Sequence, residues 1–72
     1  MALTLPRRPG DFAVYETPDG AIRFHIEAPS RGQPTLYGVE NVSEGFTLVP
    51  RTKPEVERLV AKHKLHFVEF GC

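Results

Sequence analysis

Hydrophobic and polar positions alternate most cleanly just after residue 20. Ile22, Phe24 and Ile26 are separated by Arg23, His25 and Glu27, the period of two expected of a half-buried β-strand. The preceding stretch, Glu16-Thr17-Pro18-Asp19-Gly20-Ala21, is a turn sequence. Pro18 presets its φ, and Gly20 supplies a left-handed conformation. A hairpin over residues 11–27 follows. With Pro18-Asp19-Gly20 as its loop, Val14 faces Phe24 and Phe12 faces Ile26 on the apolar side. Tyr15 then meets Arg23, and Ala13 meets His25, on the other.

Residues 28–34, with two prolines, a serine and a glycine, read as a loop. Residues 35–42 read as a third strand, with Gly38 marking a bulge. Ser43-Glu44-Gly45 makes a turn, and residues 46–49 make a fourth strand that Pro50 ends. The period then changes. Thr52-Lys53-Pro54-Glu55 has the form of a capping box. Val56, Leu59, Val60 and His63 follow on one helical face. Glu55 and Glu57 open this helix and Lys62, His63 and Lys64 close it, the order that the helix dipole favours. Residues 65–70 read as a last strand, with Leu65 and Phe67 facing one way and His66, Val68 and Phe70 the other.

The order β-β-β-β-α-β predicts a small α+β fold: a twisted, mostly antiparallel sheet with one helix packed on one face. A partly closed barrel plugged by the helix is the alternative. In the open-sheet form, Tyr15, Arg23 and His25 lie on the uncovered side. Residues 1–10, with Pro6 and Pro9 around Arg7 and Arg8, read as a flexible basic N-terminal arm. Residues 11–72 are expected to form a single small α+β domain.

Composition narrows the class. The chain has 72 residues, nine basic and nine acidic side chains, and 40% hydrophobic residues. That fits one folded domain and argues against wholesale disorder. A lone Cys72 excludes an intrachain disulfide. No apolar run is long enough for a membrane helix, and the first ten residues do not have the order of a signal peptide. A cytoplasmic location is the resulting expectation.

No catalytic constellation stands out. Ser30 and Ser43 lie in predicted turns without a nucleophile-elbow context. His63-x-x-His66 with Cys72 lacks a fourth metal ligand. No phosphate-cradling glycine loop occurs. The expectation is no enzyme, no metal and no cofactor.

The zero net charge hides an order. Arg7 and Arg8 make the arm +2. Residues 11–50 carry two arginines against six carboxylates, −4. Residues 51–64 carry five cations against two carboxylates, +3, and Glu69 adds −1. A protein partner is therefore expected. Leu3, Leu5, Arg7 and Arg8 of the arm and Tyr15, Arg23, His25 and Tyr37 of the sheet are the candidate contacts. Arg51, Lys53, Arg58 and Lys62 form a basic helix face. The leading reading is a small non-enzymatic regulator that docks on a larger protein or nucleoprotein assembly. By analogy of size alone, phage-type regulators of host machinery such as the transcription apparatus fit this profile. The second reading is a single-stranded nucleic-acid binder that uses Tyr15, Tyr37, Arg23 and the basic helix. The third is an edge-strand homodimer with a structural role, and the oligomeric expectation is monomer or weak homodimer.

Overall fold

A computed structural model describes residues 3–45 and 48–71. Five strands form one antiparallel sheet: β1 (Phe12–Glu16), β2 (Arg23–Glu27), β3 (Leu36–Asn41), β4 (Leu48–Thr52) and β5 (His66–Gly71). One helix, α1 (Lys53–His63), connects β4 to β5. The spatial order is β4-β3-β2-β1-β5. β1 to β4 meander across the sheet, and α1 carries the chain back over one face so that β5 pairs with β1. The sheet is open, with β4 and β5 as its edges.

The hairpin pairs one residue away from the predicted register. Phe12 faces Glu27, Ala13 faces Ile26 and Tyr15 faces Phe24. The turn chemistry explains the shift. Thr17 N–H donates to the Ile22 carbonyl, and Ile22 N–H donates to the Thr17 hydroxyl oxygen. The loop therefore holds four residues. Asp19 stabilises it by accepting from the Thr17 hydroxyl at 2.7 Å and from Ala21 N–H at 3.1 Å. A slip of one residue exchanges the two faces of a strand. Ala13 and Tyr15 consequently lie in the core, with Phe12 and Val14 on the opposite side.

The core joins Ala13, Tyr15, Phe24, Ile26 and Val39 of the sheet to Val56, Val60 and Leu65. The helix forms as its pattern predicts, with Val56 and Val60 buried and His63 packed against the Phe24 ring. Glu55 reaches back to the helix start, where its carboxylate accepts from both Thr52 N–H and the Thr52 hydroxyl at 2.9 Å. These two bonds, helped by Arg51, hold the Glu55 carboxyl below its usual value. The stability they contribute is present above the ordinary carboxylate range and is lost as pH falls through the lowered value. Thr52→Ala is expected to cost about 0.5–2 kcal/mol at neutral pH in urea unfolding. Its deficit should shrink as the pH is taken down through the carboxylate range.

Two strand details depart from the sequence reading. β4 continues through Pro50 to Thr52 instead of ending at Pro50, because an edge strand tolerates a residue without N–H. Residues 46–47 of the predicted fourth strand lie outside the described residues. Gly38 is regularly paired and not bulged. The Leu48 side chain lies over it, where a Cβ would sit only 2.8 Å from Leu48 Cδ1. The bulge falls instead on β5, where Val68 is the extra residue between Phe67, opposite Tyr15, and Glu69, opposite Val14. It restores Phe70 to the side of Phe67, with ring centroids 4.9 Å apart, and sets His66 and Glu69 on the other.

A helix of eleven residues does not cover five strands. α1 packs over β3 and β4. The remaining helix-side surface is met by the N-terminal segment. Leu3 and Leu5 are half-buried against the core, and Pro6 is buried. Tyr15 links the two: its hydroxyl donates to the Thr4 carbonyl at 2.8 Å and accepts from Thr4 N–H at 3.0 Å. Burial pushes the Tyr15 phenol above its usual value despite these bonds.

Candidate interaction surface

The two sides of the sheet differ in charge. On the side away from α1, the register places Glu16, Glu27, Glu40 and Glu69 together with Arg23 and His25. Arg23 is tied to Glu16 through Nε and Nη2, at 2.8 and 2.6 Å from the same carboxylate oxygen. His25 stacks on Phe12 with ring centroids 4.5 Å apart. Glu27 shares a hydrogen bond with Glu40, which raises the Glu27 carboxyl above its usual value. The native state thus binds that proton more tightly than the unfolded chain. The benefit is full below the unfolded value and is lost as pH rises through the native one. Glu27→Gln keeps a donor toward Glu40 and removes one charge. It is expected to raise the melting temperature at pH 7, with the gain vanishing below about pH 4.

The helix side is basic, in two places. Arg51, Arg58 and Lys62 surround Leu59 in a shallow depression of about 240 Å³, with Glu55 3.5 Å from Arg51. Lys53, the fourth basic residue of the predicted helix face, points elsewhere. It joins Arg7, Tyr37 and Phe70 around a depression of about 460 Å³ along the N-terminal segment. A second depression of about 400 Å³ shares Pro6, Arg7 and Tyr37 with the first and adds Pro9, Pro29, Pro34 and Arg31. No acidic residue lines either one. Arg8 lies in an adjoining groove of about 360 Å³ with Leu5, Phe70 and Asp11.

The structure therefore redistributes the candidate contacts. Tyr15 is 3% exposed and belongs to the core, contrary to its placement on the uncovered face. Tyr37 shares its side of the sheet, while Arg23 lies on the other. A stacking platform of Tyr15, Tyr37 and Arg23 does not form. Leu3 and Leu5 face the protein's own core. Arg7, Tyr37 and Lys53 come together, and the sequence reading missed Arg31 and the two loop prolines, Pro29 and Pro34, beside them. The signal was present in Ala28-Pro29-Ser30-Arg31-Gly32-Gln33-Pro34, which holds an arginine between two prolines.

Among the described residues, no group of three His, Cys, Asp or Glu side chains is placed to hold a metal ion. No described helix is long and apolar enough to cross a membrane. Comparison with protein-family models, curated proteins and solved structures finds no significant match.

Proposed function

We propose that this protein is a small non-enzymatic binding module that docks on an acidic segment of a larger protein assembly and regulates it by occupancy. One observation carries the reading. Arg7, Arg31 and Lys53 converge around Tyr37, with prolines forming the walls and no carboxylate among the lining residues. Arginine forks suit carboxylates, and tyrosine offers a rigid contact that is both apolar and polar. The acidic opposite face disfavours wrapping by a polyanion, which puts a protein segment ahead of a nucleic-acid strand.

The test is an NMR titration with a synthetic peptide of Glu, Asp and Leu, and separately with an oligothymidylate. The peptide is expected to shift Tyr37 and the amides around Arg7, Arg31 and Lys53. The double substitution Arg7→Glu with Arg31→Glu should weaken binding by roughly tenfold or more while the fold persists. An oligothymidylate that binds more tightly than the peptide, with steep salt dependence, would transfer the surface to single-strand binding. Substitutions are preferable to removal of residues 1–10, which would also uncover Tyr15 and delete one wall of the site.

A further inference from the structure

We infer that β5 is a self-association edge, where a second copy of this chain adds antiparallel to make one continuous sheet. The two edges of the sheet are not alike. β4 carries Pro50, which has no N–H to offer, and Pro at an edge blocks strand addition. β5 pairs only with β1 and has no proline along its six residues. Among the described residues, it also holds two of the three large hydrophobic side chains that are most exposed: Val68 at 41% and Phe70 at 53%.

The strand is complementary to itself. Because Val68 is a bulge, Phe67 and Phe70 share one face and His66 and Glu69 share the other. Placing Phe67 opposite Phe70 of the second copy pairs all six residues about a two-fold axis. The helix-side face then gains two cross-strand aromatic pairs, and Phe70 loses its exposure. On the other face, His66 lies diagonal to Glu69 of the second copy, twice by symmetry. Val68 lies directly opposite Glu69 of the second copy. Six paired residues make a short interface beside the ~1,200–2,000 Å² that stable complexes bury, so the dimer is weak and forms with rising concentration.

This register makes a charge-specific demand. Val68→Glu puts like charges opposite each other and should weaken the dimer at least tenfold. Val68→Lys puts opposite charges there and should leave the dimer intact or strengthen it. Val68 lines none of the depressions around Tyr37, so peptide binding measured at a concentration where both variants are monomeric should be the same in both. The experiment is sedimentation equilibrium with reductant present, which excludes a Cys72 disulfide, with circular dichroism to confirm the fold. The wild type should move from monomer toward twice its mass of 8.1 kDa as concentration rises. A monomer mass that persists to about 1 mM would overturn the inference. Equal weakening by the two charged variants would also overturn it, since the register requires them to differ.

Discussion

Tyr15→Ala is expected to leave the chain largely unfolded at 25 °C, read as loss of the cooperative urea transition. Tyr15 is buried at the centre of the helix-side face and meets the Phe67 ring edge-on at 5.9 Å. Truncating an aromatic in such a place costs about 3–5 kcal/mol. The core of a domain this small supplies about the same amount. Tyr15→Phe is the informative companion. It keeps the ring and removes only the hydroxyl that accepts from and donates to Thr4. A stability loss of about 1 kcal/mol is expected, together with faster exchange of the Thr4 amide. Arg7 lies three residues beyond Thr4, so acidic-peptide affinity should fall although no residue lining the two depressions has changed.

Ile26→Ala should be comparably severe. Its side chain is fully buried, between Ala13 on β1 and Val39 on β3. Removing three carbons there costs about 2–5 kcal/mol, which approaches or exceeds the whole stability. Phe12→Ala is the control. The predicted register set Phe12 opposite Ile26 on one apolar face and made the two equivalent. In the structure Phe12 lies on the far side of the sheet, against His25 and over Gly71. Its truncation should cost clearly less than that of Ile26 in the same denaturation experiment.

That pair also shows where the sequence was legible. The turn, the five strands and the capped helix followed from alternation, Pro-Asp-Gly and Thr-x-x-Glu, all of which are local signals. The register did not, because it depended on a side chain. Asp19 enlarges the loop by one residue, and that one residue decides whether Tyr15 faces the core or the solvent. The bulge at Val68 was equally hidden, since His66–Phe70 reads as plain alternation until Phe67 and Phe70 are seen together. The site suffered from the same cause. Arg7, Tyr37 and Lys53 were each visible as candidates. Their convergence requires the N-terminal segment to lie on the sheet, and that rests on an inward-facing Tyr15 hydroxyl. Arg31 carries no such signal, because nothing local distinguishes a loop that walls a groove from one that merely connects strands.

The place of β5 has a consequence for the order of events during synthesis. Strands β1 to β4 can pair as they emerge, each with its neighbour. β1 nevertheless keeps one bare side until β5, about fifty residues later, arrives across the sheet. Until then Ala13 and Tyr15 lack Phe70 and Phe67 beside them. A nascent chain halted before residue 66 would therefore present β1 as a bare edge open to pairing with other chains. Only a chain extended through β5 pairs both sides of its own first strand.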